Sequence, residues 1–132
     1  MNETLDLVVC MAIVTWLTLL AASLIRAKGW TPAGMKIALG NRDHLPETTP
    51  LAGRAQRTAS NTLENFVLFA AVALVAQLAG STNPRIETGA QMFFWARVVY
   101  IPVYYVGIVY LRTIVWLIGS IGLGLMVSAL LG

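Results

Sequence analysis

Arg57, Asn61 and Glu64 follow one another at i, i+4 and i+7 at the mouth of a strongly apolar run, GRAQRTASNTLENFVLFAAVALVAQLAG. That spacing places a cation, an amide and a carboxylate on one face of a helix. Two later runs carry similar stripes: Arg97, Tyr100 and Tyr104 at i, i+3 and i+7, then Arg112 and Trp116 at i and i+4 with Thr113 beside the arginine. Ionisable groups within apolar segments are costly, and they serve a ligand, a partner helix or an ion. Here one acid, Glu64, stands against Arg57, Arg97 and Arg112. Such an excess of positive charge calls for an anionic guest (a carboxylate, phosphate or thiolate) or for arginines that snorkel to the headgroups. Arg57 and Arg112 lie near helix ends and are placed to snorkel. Arg97 lies between Phe93-Phe94-Trp95 and Val98-Val99-Tyr100 and is expected to point inward. The bland alternative has Glu64 neutralising an arginine of a neighbouring helix, with Asn61 as an interhelical donor and no ligand.

The elements that must position these groups are membrane helices. Of 132 residues, 58% are hydrophobic and only 11% charged, and the mean hydropathy is +0.73. Four apolar stretches each reach the ~20 residues that a bilayer-spanning helix needs. The sequence therefore predicts an all-α, integral membrane four-helix bundle in a single domain over residues 1–132. Its helices fall at about 5–26, 52–80, 88–109 and 110–131, with a loop at about 27–51. The last two nearly touch, so a tight turn must join them, and the three polar stripes are expected to converge at one end. Gly29, Pro32, Gly34, Gly40, Pro46 and Pro50 argue against a long helix in the loop, leaving room for a short amphipathic piece around 33–39. Pro102 should bend the third helix or free a carbonyl there. Ser120, Gly124 and Ser128, four residues apart, are read as a stripe for close helix packing, within the subunit or at a contact between subunits of a trimer.

Glu3 and Asp6, with no Lys or Arg before the first apolar run, mark a retained helix rather than a secretion signal. Arg26, Lys28, Lys36, Arg42, Arg54 and Arg57 cluster between the first two helices, which puts that loop in the cytoplasm and both termini on the other side. The second connection, Gly80-Ser81-Thr82-Asn83-Pro84-Arg85, is a run of turn formers. The net charge of +3 comes mostly from the first loop. It reads as a topology signal with attraction to membrane lipids, and not as a nucleic-acid surface. Short loops fit a bacterial inner membrane. Cys10 is the single cysteine, expected to pack within its helix; His44 is expected to be a solvated loop residue, and no metal site is expected.

The ordered set Arg54-x-x-Arg57-x-x-x-Asn61-x-x-Glu64-Asn65, Arg97-x-x-Tyr100-x-x-x-Tyr104 and Arg112-x-x-x-Trp116 resembles the MAPEG family, the membrane-associated proteins of eicosanoid and glutathione metabolism, from about Gly53 to the end. The resemblance, to a bacterial-type member, implies a homotrimer with glutathione as cosubstrate, bound between subunits near the cytoplasmic face. It implies that Arg57, Asn61, Glu64, Arg97 and Tyr104 hold the tripeptide, with Arg26 reaching across the subunit boundary. Arg112 would stand beside the thiol and favour the thiolate, and the Thr113 hydroxyl would donate to the sulfur. The family includes glutathione transferases, prostaglandin E and leukotriene C synthases, and a lipoxygenase-activating protein that is not an enzyme.

Three departures matter. Ser60 stands where the prostaglandin synthase has an arginine, Tyr100 where it has histidine, and Trp116 where it has tyrosine. They weigh against prostaglandin isomerase chemistry and leave thiol transfer open. The implied activity is a glutathione-dependent transferase or peroxidase on hydrophobic, lipid-like electrophiles entering a cleft walled by Phe66 and Phe69. The alternative is a non-catalytic member that binds lipid or a partner protein.

Overall fold

Along the first helix, Thr4, Leu7, Met11, Thr15, Thr18 and Ala22 recur every three to four residues and are buried. In the computed structural model, which describes residues 2–132, this stripe packs mainly against the third helix. The elements are α1 (Glu3–Ala27), α2 (Pro32–Leu39), α3 (Pro50–Leu78), α4 (Pro84–Val106) and α5 (Val109–Leu131). No strand occurs among the described residues. Two of the stripe's threonines turn their hydroxyls back onto their own helix, Thr15 to the Met11 carbonyl at 2.8 Å and Thr18 to that of Val14 at 2.7 Å. These two hydroxyls are therefore satisfied without a polar neighbour from another helix. The facing stripe of α3 is small as well, with Ala52, Ala55, Thr58, Ala59 and Thr62 buried, so the two backbones approach closely.

Local signals set the boundaries. Asn2, Thr49 and Asn83 accept from backbone N–H groups at the starts of α1, α3 and α4, and Pro occupies the first turn of the latter two. The loop at 27–51 contains the short helix α2, and α3 begins at Pro50, two residues before the sequence suggests. Gly107, at φ +88°, and Ile108 alone join α4 to α5, the tight turn that the spacing requires.

By length and apolarity, α1, α3 and α5 can cross a membrane. The sequence suggests four such helices, and α4 is the exception: it is 23 residues long but carries Arg85, Glu87 and Arg97. It is also the most enclosed helix, with ten residues buried inside the protein against four for α5. A helix shielded by its neighbours does not need to be apolar on every face.

Phe69 and Phe93 stack at 4.4 Å at the centre of the main core, with Met11, Ala73, Ala90 and Met126 around them. The α4–α5 contact rests on Gly119, Gly122 and Met126. A Cβ at position 122 would lie 2.6 Å from the Gly89 carbonyl, so only glycine permits this approach. Within the subunit, Ser120, Gly124 and Ser128 therefore do not form the packing stripe: Gly124 faces open space, and Ser128 accepts a hydrogen bond from Arg85 at 2.9 Å. Cys10 is exposed on the outside of α1 and does not pack in the interior.

Candidate functional site

α3 and α4 run in opposite directions and α5 restarts beside the end of α4, so the early turns of α3, the late turns of α4 and the first turns of α5 share one end of the molecule. This brings the three polar stripes together. A cleft of about 350 Å³ is lined by Gln56, Arg57, Ser60, Asn61 and Glu64 of α3, Tyr100 and Tyr104 of α4, and Arg112 of α5. A second hollow of about 200 Å³ shares Asn61, Tyr100 and Arg112 with it and adds Thr113 and Trp116.

Tyrosine rings organise the arginines. Arg57 Nε donates to the Tyr104 hydroxyl at 3.0 Å. The Arg112 guanidinium lies 4.5 Å from the centroid of the same ring. Tyr104 meets Tyr100 edge to face at 5.6 Å, and the Arg97 guanidinium covers the Tyr100 ring at 4.1 Å. These are cation–π distances, and the attraction is strong where water is excluded. The guanidiniums thus contact rings and hydroxyls, while Glu64 lies exposed at the cleft. The interhelical neutralisation that the sequence left open is not the arrangement seen.

Arg97 is 1% exposed. Its Nη2 donates to Thr62 Oγ1 at 3.2 Å, whereas Nε and Nη1 have no hydrogen-bond partner among the described residues. It lies behind Tyr100 and lines neither hollow, so its influence on a bound molecule passes through that ring. Arg26 donates from Nη1 to the Pro46 carbonyl at 2.5 Å, tying the long loop to α1, and it lies outside the cleft lining. Thr113 donates to the Val109 carbonyl of its own helix at 3.3 Å; its single proton must turn away from that carbonyl to reach a ligand. Asn65 donates to the carbonyl and the side-chain oxygen of Asn61 at 2.8 and 3.3 Å, which fixes the Asn61 amide. Arg54 Nε donates to the Tyr105 carbonyl at 2.9 Å and satisfies one of the last carbonyls of α4.

The expected walls, Phe66 and Phe69, are elsewhere. Phe69 is fully buried in the main core and Phe66 packs against that core, because they lie well over a quarter turn around α3 from the Arg57–Asn61–Glu64 face. Gln56 was not foreseen as a lining residue. Its signal was present in the spacing of Gln56, Ser60 and Glu64 at i, i+4 and i+8, and Gln56 Nε2 approaches Ser60 Oγ at 3.3 Å. Among the described residues, no group of three or more His, Cys, Asp or Glu could hold a metal ion.

The cleft offers cations for carboxylates, a carboxylate for an ammonium group, and an oriented amide, with Arg112 placed to face a further anion. The fold and the site together define an all-helical integral membrane protein with an arginine-rich cleft among three of its helices. The chain belongs to the MAPEG family, whose family model matches residues 5–132. The match extends the likeness through α1, beyond the motifs that start at Gly53. No curated protein and no solved structure matches the chain.

Proposed function

We propose that this protein is a membrane-bound glutathione-dependent transferase or peroxidase acting on hydrophobic electrophiles. The observation that carries this reading is that Arg57 and Arg112 meet on one tyrosine, beside Glu64 and Asn61, with rings and hydroxyls rather than carboxylates as their contacts. Glutathione supplies the missing partners: two carboxylates for arginine, an ammonium group for Glu64, and amides for Asn61 and Tyr104. Arg57 is the anchor. Arg112 faces the thiol and favours its thiolate, and Thr113 turns its hydroxyl from Val109 toward the sulfur. In transfer, the thiolate forms a bond to an electrophilic carbon while the leaving group departs with its electron pair. In the peroxidase branch, two glutathiones give a disulfide while a hydroperoxide is reduced to alcohol and water.

In this reading α4 is a fourth span, its charges shielded by the other helices, and three copies assemble so that a neighbour closes the outward face of α3. Arg26 then acts at that boundary through the loop that it holds, and Arg97 acts through Tyr100. The basic end of the molecule faces the cytoplasm, with both termini across a bacterial inner membrane.

Calorimetry on the detergent-purified protein tests this. Saturable glutathione binding that Arg57→Ala weakens supports the reading. Absence of binding at millimolar glutathione moves the assignment to a non-catalytic member that binds lipid or a partner protein.

A further inference from the structure

A groove of about 500 Å³ runs along the α1-facing side of α4, away from the cleft. It is lined by Val14, Leu17, Thr18 and Ala21 of α1 and by Ile101, Pro102 and Tyr105 of α4. On α4, Tyr104 lines the cleft and the adjacent Tyr105 lines this groove. Its floor is apolar in effect, because the one hydroxyl on the α1 wall, that of Thr18, is spent on the Val14 carbonyl. The hollow follows from composition: Thr18 and Ala21 are small, and Pro102 presents a ring where another residue would extend a longer chain.

Charge identifies the occupant. Lys28 follows Ala21 by seven residues, so its backbone lies about 10 Å further along α1, past the groove at the end of the helix. It is exposed at the left-handed cap of α1. On the other wall, Arg54 is bonded to the carbonyl of Tyr105, the last groove residue. Two cations therefore stand at one end of an apolar channel whose lining includes no carboxylate. From Val14 to Ala21 the α1 wall rises about 10 Å, within the hydrocarbon depth of one leaflet, half of ~30 Å.

We infer that this groove is a binding site for an anionic phospholipid, with one acyl chain along Val14–Ala21 and Pro102 and the headgroup phosphate at Lys28 and Arg54. The inference does not depend on the thiol chemistry of the cleft. It assigns the groove to the leaflet at the basic end of the molecule.

Native mass spectrometry of the detergent-purified protein tests it, with phosphatidylglycerol and phosphatidylcholine of identical acyl chains added at equal concentration. The expected result is about thirtyfold more phosphatidylglycerol retained, about fivefold for each of the two cations near an anionic headgroup. Lys28→Gln is expected to lower the ratio to about fivefold, the share of Arg54, while glutathione binding is unchanged, and Ala21→Trp to remove both lipids by filling the groove. Equal retention of the two lipids by the unaltered protein overturns the inference. So does an Ala21→Trp protein that still holds phosphatidylglycerol. Loss of oligomer in Ala21→Trp with lipid retention intact overturns it in favour of a second copy of the chain. Should Ala21→Trp not fold, the exposed Lys28→Gln decides alone: a ratio unchanged from that of the unaltered protein overturns it.

Discussion

Phe69 and Phe93 stack face to face at 4.4 Å with an interplanar angle of 14°, whereas Tyr100 and Tyr104, two and three turns further along α4, have guanidiniums over their rings. The same helices make both regions. In the first, aromatic and aliphatic side chains fill one another's space, and the region is complete within one chain. In the second, the ring faces attract Arg97 and Arg112, the Tyr104 hydroxyl takes Arg57, and two nitrogens of Arg97 have no hydrogen-bond partner among the described residues. The apolar half is organised for stability, and the polar half keeps charge available at a stability cost. Local rules of packing and polar satisfaction are broken where a protein acts.

Substitutions should separate the two halves. Phe69→Ala removes a fully buried ring and should destabilise the protein by about 3–5 kcal/mol, read as a lower denaturation midpoint in detergent; the protein that remains folded should bind glutathione with unchanged affinity. Gly122→Ala forces a methyl group against the Gly89 carbonyl and the Phe93 backbone nitrogen and should cost about 1–3 kcal/mol. Its effect is on the α4–α5 contact, again with affinity retained.

The polar half should behave in the opposite way. Arg97→Met keeps the stem and removes a buried charge with one hydrogen bond to protein, so stability should hold within about 1 kcal/mol or rise. Glutathione binding should weaken by about fivefold, the ~1 kcal/mol of one lost cation–π contact that sets the Tyr100 ring. A large stability loss with unchanged affinity would make Arg97 a structural residue and erase the contrast. The smallest effect belongs to Thr62→Val, which should cost about 0.6 kcal/mol, an average interhelical hydrogen bond in a membrane protein, measurable as a small shift in the denaturation midpoint.

Much of this organisation can be read from residue spacing. The i, i+4, i+7 stripe of Arg57, Asn61 and Glu64 and the i, i+3, i+7 stripe of Arg97, Tyr100 and Tyr104 contain their own geometry, since helical spacing alone fixes which side chains share a face. Convergence of the stripes follows from alternating helix direction and from the two-residue turn at Gly107. Contacts between helices are less legible. Nothing in the sequence says which face of α5 meets α4, so Ser120, Gly124 and Ser128 resemble a packing stripe although Gly119 and Gly122 form it. Phe66 and Phe69 follow the polar stripe directly in sequence yet point into the core, because a step of two or five residues turns around the helix. The target of Arg26, a carbonyl twenty residues away in an irregular loop, has no periodic signal at all.

The central claim is that Arg112 holds a thiolate in the cleft. The direct measurement is the ultraviolet difference absorbance of thiolate when glutathione binds the purified protein at neutral pH, compared with Arg112→Ala at glutathione concentrations that saturate both. A thiolate signal in the unaltered protein that Arg112→Ala abolishes while binding persists is the predicted result. Glutathione bound without a thiolate signal, or a signal of equal size in both proteins, would contradict it.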